Sequence, residues 1–164
     1  MVSENQLLLD AQRERDESFM IEALEQAQLA YQNDEVPVGA VLVVDNKIIA
    51  RACNTKEKEK SPLGHAEINV IVKAKEHFSS WRYLNSTLYV TLEPCLMCAG
   101  AIIQARVGRV VYGTPDPKGG ACVSLYQFFS DERLNHRPNL SGPILQEPCS
   151  KILKDFFVQK RTKA

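Results

Sequence analysis

Apolar residues recur at helical spacing through residues 16 to 33, where Met20, Leu24, Ala27 and Tyr31 share a face with Ala23 and Ala30 beside them. That spacing predicts a helix with one side turned to a core. The period then changes. After "PVG" the run "AVLVVD", then Asn46, then "KIIARAC" predict two strands joined by a tight Asp-Asn turn. Helical spacing resumes in "HAEINVIVKAKEHF" through Ala66, Val70, Ile71 and Ala74. "STLYVTL" reads as a strand, "CLMCAGAIIQAR" as a helix with Pro94 at its entry, and "RVVYG" as another strand. A loop, "TPDPKGG", leads to a short helix near residues 124 to 131, a polar connection "NHRPNLSG", a short strand at "PILQ" and a closing helix over 148–161. Alternating helices and strands predict one α/β domain over residues 1–164. Its architecture would be a three-layer α/β/α sandwich, a five-stranded mixed sheet with helices on both faces. Residues 1–15 are expected to be a flexible or helical extension.

Length and composition narrow this picture. A chain of 164 residues with 45% hydrophobic content can bury a single core. No apolar run approaches the length of a membrane span, and "MVSENQLLLDAQRERDE" mixes both charge signs around one short apolar run, unlike a signal or transit peptide. A cytoplasmic, reducing location is expected, with no membrane partner. Five cysteines at uneven spacings argue against a disulfide framework, and the sequons at Asn85 and Asn139 then carry no glycosylation meaning. Twenty basic and twenty acidic residues cancel, so the chain as a whole lacks the signature of a nucleic-acid binder. Locally the last fourteen residues, "KILKDFFVQKRTKA", carry five cations against one Asp with Phe156 and Phe157 among them. A solvated amphipathic helix explains that segment equally well.

The chemistry concentrates in "TLEPCLMCAG" and "GHAEI". Cys95 and Cys98 fall in the first turn of a helix, where i and i+3 share a face and free backbone N–H groups lower thiol pKa values. Three readings compete: a redox dithiol, a structural zinc with four protein ligands, and a catalytic zinc with three ligands and an open position. The chain has one C-x-x-C only; Cys53, Cys122 and Cys149 are isolated and read as small core residues. His65 opens a helix thirty residues before Cys95, whereas His77 and His136 read as non-ligands. His65, Cys95 and Cys98 leave the fourth tetrahedral position to water, the mark of a catalytic site. Thiolates with one imidazole favour Zn²⁺ without excluding iron. Glu67 lies two helical positions beyond His65, about 200° around the axis, and suits a proton-moving carboxylate beside the water better than a ligand. Taken alone it could equally be a carboxylate favoured by the helix dipole. "TPDPKGG" lacks the G-K-[ST] order of a phosphate loop and reads as a turn beside the substrate groove.

H-x-E followed by P-C-x-x-C resembles the zinc-dependent nucleoside and nucleobase deaminases. Within that superfamily "EVPVGAVLV", "CNT", "PLGHAEI", "TLYVTLEPCLMCAGAIIQARVGRVVYG", "DPKGGA", "LNHR" and "CSKILKDFF" resemble the bacterial adenosine deaminases that act on tRNA, over residues 18 to 161. The resemblance implies a cytidine deaminase-like fold, one Zn²⁺ per subunit, and hydrolytic conversion of a wobble adenosine to inosine, with Glu67 as general acid/base. By the same resemblance Asn54 contacts the target nucleoside and Ala66 meets the base through its backbone. Asp116 touches a flanking nucleotide, Asn135 and His136 lie near the anticodon-loop groove, and Phe156, Phe157, Lys160 and Arg161 meet the RNA. A homodimer with residues from both subunits near each site is implied as well. The loop departs from the family pattern at Pro115 and Val123, and residues 1–16 have no counterpart in it. A free-base deaminase of guanine or cytosine shares the zinc and Glu67 but has no use for the basic C-terminal segment. A zinc-stabilised interaction module shares the ligands and has no use for Glu67.

Overall fold

The computed structural model describes residues 3–163. Helix α1 (Glu4–Gln32) starts where the Ser3 side chain accepts a hydrogen bond from the Gln6 amide, so residues 4–15 are helical and continuous with the helix expected from residue 16. Strands β1 (Gly39–Val44) and β2 (Lys47–Cys53) form the expected hairpin, with Asp45 and Asn46 both at positive φ. Helix α2 (Ala66–Ala74), strand β3 (Ser86–Leu92), helix α3 (Leu96–Gln104) and strand β4 (Arg109–Thr114) follow. The chain closes with β5 (Asn139–Ser141) and α4 (Gln146–Lys163).

The sheet runs β2-β1-β3-β4-β5. β1 is antiparallel to both β2 and β3, while β3, β4 and β5 are parallel. Strand alternation divides the apolar side chains between two faces. Leu42, Leu88, Val90 and Val110 pack with Val70 of α2 and Ile102 of α3. Val41, Val43, Tyr89 and Val111 pack with Met20 and Ala23 of α1 and Cys149 of α4. The expected three-layer sandwich results, and each fully buried Val, Leu or Ile adds about 1.5–3 kcal/mol to it. α1 lies very close to β1 because a Cβ on Gly39 would come within 2.0 Å of the Ala23 carbonyl oxygen.

A part-buried ion pair ties α1 to the sheet beside the hydrophobic face that Tyr89 belongs to. Arg109 at the start of β4 donates to both carboxylate oxygens of Asp16 on α1, at 2.8 and 2.7 Å, and the Tyr89 hydroxyl donates to the same carboxylate at 2.8 Å. Burial alone would raise the Asp16 pKa; the bonds from Arg109 and Tyr89 outweigh it and hold the group below its ordinary 3.8.

Two expectations are corrected. The fifth strand is the polar Asn139–Ser141, not "PILQ": it pairs with Arg109–Val111 of β4, while Ile144 and Leu145 plug the α1–α4 side of the core. Pro143 has no N–H for a ladder, and the apolar run fills space instead of pairing. The helix expected near 124–131 shrinks to one 3-10 turn, Phe128–Ser130, because the amides before it are used otherwise.

The topology brings four chain segments to one edge of the sheet. Gly39 at the start of β1 pairs with Cys53 at the end of β2, and Ala40 pairs with Val90 near the end of β3. Leu92 and Thr114 end β3 and β4 side by side. The segments that follow β2, β3 and β4 therefore leave from this edge, where open α/β sheets place their ligands.

Candidate active site

His65 and Cys95 occupy equivalent places, each the N-cap of its helix: His65 before α2 and Cys95 before α3. Pro94 thus precedes the cap and does not occupy the first helical position. Both helices point their N-termini into the same corner, which brings His65, Cys95 and Cys98 together with one ligand atom each, all within 4.8 Å of one another. The His65 Nδ1 lies 3.7 Å from the Cys95 Sγ and 3.5 Å from the Cys98 Sγ. A tetrahedral Zn²⁺ with its usual bond lengths separates such a nitrogen and sulfur by about 3.6 Å. The donor set and its spacing fit zinc, and among the described residues this is the cluster that could hold a metal.

The thiols are electrostatically unequal. A hydrogen bond from Cys98 holds the Cys95 thiol down at about 4, against the opposing effect of burial and with help from His65. The bond to Cys95, burial and the Glu67 charge push Cys98 far up. His65 is raised, first by its bond to Cys95. Metal ligands must be deprotonated, so binding a divalent cation at these crowded groups would release protons. Glu67, in the first turn of α2, is 4% exposed, and burial pushes its carboxyl up to about 7. It stands against Cys98 without joining the three clustered ligand atoms, the placement expected of a proton-moving group.

Backbone-directed hydrogen bonds fix the surroundings. Asn54 Oδ1 accepts from the Ala66 N–H at 2.8 Å, so the two residues expected at the nucleoside and base are bonded to each other, and the Asn54 amide group retains its own donors. The Asn69 amide donates to the Cys53 carbonyl and to Thr55 Oγ1, both at 2.9 Å. Two further carboxylates escaped the sequence reading. Glu35, 2% exposed, accepts from the Glu57 and Lys58 amides at 3.1 and 2.7 Å and holds the loop that leads to His65. Glu93, 1% exposed, accepts from the amides of Asp116, Cys122, Val123 and Ser124 and from the Ser124 hydroxyl. Burial would raise the Glu93 pKa, but these bonds, led by Ser124, hold it below the usual carboxylate range. The available signal was an acidic residue next to an apolar strand, since Glu is almost never fully buried unless its oxygens have partners.

The remaining expected residues divide into two groups. Half-buried Asp116, with Thr114 and Lys118, forms one wall of a groove of ≈ 930 Å³ whose other wall is α4, with Leu153, Phe157 and Arg161. Phe156 does not face this groove; it is 3% exposed and packs edge-on against Tyr31 of α1. Lys160 lies beside Phe156 and pairs with Asp34 at 2.6 Å. Asn135 is exposed, and the His136 Nε2 meets the Val107 carbonyl oxygen at 2.7 Å. Val107 follows the C-terminal end of α3, so within one chain His136 is not brought to the metal cluster at its N-terminal end.

Comparison with known proteins agrees with this geometry. The family model of MafB19-like deaminases matches residues 14–161. The chain belongs to this deaminase family. The deaminase is 46% identical over 149 residues to the tRNA-specific adenosine deaminase of Bacillus subtilis, covering 91% of this chain and 92% of that one. It is 45% identical over 149 residues to the protein of the same name from Haemophilus influenzae, covering 90% and 86% of the two chains. Its structure superposes with a TM-score of 0.79, at 45% identity, on one solved in a study of A-to-I editing by tRNA:A34 deaminases at the wobble position of transfer RNA. That match covers 83% of this chain and 99% of the other. The fold also matches guanine deaminase from Nitrosomonas europaea, with a TM-score of 0.73 at 18% identity over 87% of this chain and 84% of that one.

Proposed function

We propose that this deaminase converts the wobble adenosine of a tRNA anticodon loop to inosine by hydrolysis. The observation that carries the reading is the corner of His65, Cys95 and Cys98 with buried Glu67 against it, in a chain whose relatives near 45% identity bear the name of this reaction. His65, Cys95 and Cys98 would hold one Zn²⁺, which when bound acts as a Lewis acid that makes its water acidic. Glu67 accepts the proton from the attacking water and delivers it to the adenine ring nitrogen. As the C6–N bond breaks and the C6–O bond is kept, Glu67 moves a second proton to the departing amine, and ammonia leaves. Asn54 binds the target nucleoside through its remaining amide donors and holds the Ala66 turn in place beneath the base.

The groove between Asp116 and α4 suits the nucleotides flanking the adenosine. Phe157 offers an exposed stacking face, and Arg161 and Lys160 supply cations. RNA loops are recognised largely by stacking and edge contacts on splayed bases, so a net charge of zero is compatible with this substrate. Phe156 serves by fixing α4 in place. The reading includes a homodimer, which would return Asn135 and His136 to the substrate of the partner subunit. Exposed Leu63, Val72 and Leu96 on the α2–α3 side support it. It also includes a cytoplasmic location; no helix among the described residues is long and apolar enough to cross a membrane.

The test is incubation of the zinc-loaded protein with an anticodon stem-loop carrying a wobble adenosine, with free adenosine, guanine and cytosine in parallel. Inosine in the stem-loop and no ammonia from the free compounds is the expected result. Ammonia from a free base alone would transfer the site to nucleobase deamination.

A further inference from the structure

Glu93 sits between two parts of the site that are otherwise separate in the chain. Its own N–H donates to the Thr114 carbonyl at 2.8 Å, and two residues later Cys95 opens α3. Its carboxylate reaches into the loop that follows β4. Oε2 accepts from the Asp116 amide at 2.9 Å and from the Ser124 hydroxyl. Oε1 accepts from the amides of Cys122, Val123 and Ser124 at 3.1, 2.6 and 2.9 Å. One side chain thus gathers both ends of the segment from Asp116 to Ser124, an anion surrounded by converging N–H dipoles. The backbone beside it repeats the connection, with the Ala121 amide on the Pro94 carbonyl at 2.9 Å and Cys95 bridged to Gly120. Gly120 is required there, since a Cβ would lie 2.3 Å from the Glu93 carboxyl carbon.

We propose that Glu93 is a positioning residue that fixes the Asp116–Ser124 loop against the Cys95 turn, so that the groove wall and the metal corner keep one mutual geometry. It touches neither substrate nor metal and acts through Asp116. The consequence for RNA binding rests on the function proposed above; the clamp itself does not.

The chemistry of the side chain makes a selective test. An amide has one accepting oxygen and one donating nitrogen, whereas the site presents five donors to two oxygens. In Glu93→Gln the oxygen retains the three amides of Cys122 to Ser124, and the NH₂ group faces Asp116. The Ser124 hydroxyl can rotate to accept from it, but the Asp116 amide is left without an acceptor. Hydrogen exchange of the zinc-loaded variant should therefore accelerate at Asp116 and remain slow at Cys122–Ser124. Losing a bond to a charged group predicts a KM for the stem-loop about tenfold higher, with kcat and zinc stoichiometry close to those of the parent. Gly120→Ala, whose Cβ would crowd the same carboxylate, should reproduce the KM rise. Unchanged exchange at Asp116 in a folded, zinc-loaded Glu93→Gln protein overturns the proposal, as does loss of zinc with a fall in kcat at constant KM. If the parent makes no inosine in the stem-loop, the functional reading fails, and the exchange experiment still decides the clamp.

Discussion

The metal corner and the α4 groove share one edge of the sheet but are built on opposite plans. The corner is held by side chains that spend their hydrogen bonds on backbone: Asn54 on Ala66, Glu35 on the loop before His65, Glu93 on the loop after β4. Each of the three is at least 93% buried; Asn54 fixes the first turn of α2, and Glu35 and Glu93 each fix a loop. The groove wall on α4 is anchored by Cys149, Leu153 and Phe156, and carries exposed Phe157 and Arg161 together with a Lys160–Asp34 pair near the surface. Reaction chemistry needs atoms fixed within fractions of an ångström, and buried acceptors aimed at amides supply that. Recognition of a flexible RNA loop needs faces and charges that adapt, and surface side chains supply those.

Cys95→Ser breaks the first region most completely. It should abolish zinc retention and, with it, activity, as read by metal analysis and inosine yield. The two phenylalanines separate the regions within one helix. Phe156→Ala should cost roughly 3 kcal/mol of stability, measured by denaturant unfolding, because it empties a buried site against Tyr31. Phe157→Ala should leave stability within about 0.5 kcal/mol and raise KM for the stem-loop, since it removes only a stacking face.

Asp16 provides a pH test remote from both regions. Its folded-state pKa lies below 3.8, so its stabilising contribution is complete above the unfolded value and is lost as the pH falls through the lower, folded one. Unfolding followed between pH 5 and 2 should show this acid loss in the parent and lose that component in Asp16→Asn. The smallest effect is expected for Lys160→Ala, a pair near the surface. Stability should change by under about 1 kcal/mol, and the slope of log affinity against log salt should fall by about one.

Much of this was readable in the residues. Short apolar runs between turn residues gave β1 to β4, because the central strands are covered on both faces, and helical spacing gave α1 and α2, which turn one face to a core. The cluster of His65, Cys95 and Cys98 was readable because metal chemistry demands particular residue types, here at element boundaries. β5 was not, since Asn139–Ser141 is a polar edge strand defined by its partner β4, and the apolar neighbours that mimic a strand fill the core instead. Glu93 and Glu35 were hidden for a related reason. Their role is set by amides of Asp116, Ser124, Glu57 and Lys58, and any residue type can present an amide. Phe156 and Phe157 are adjacent and alike in sequence, and only the position of α1 buries one and exposes the other.

The most direct test of the account is Glu67→Gln, with zinc content and single-turnover inosine formation measured on the same preparation. Zinc retained at one per chain with the rate reduced on the order of a hundredfold or more is the predicted result, because the substitution keeps the ligands and removes the proton carrier. A Glu67→Gln protein that keeps zinc and full activity would contradict it.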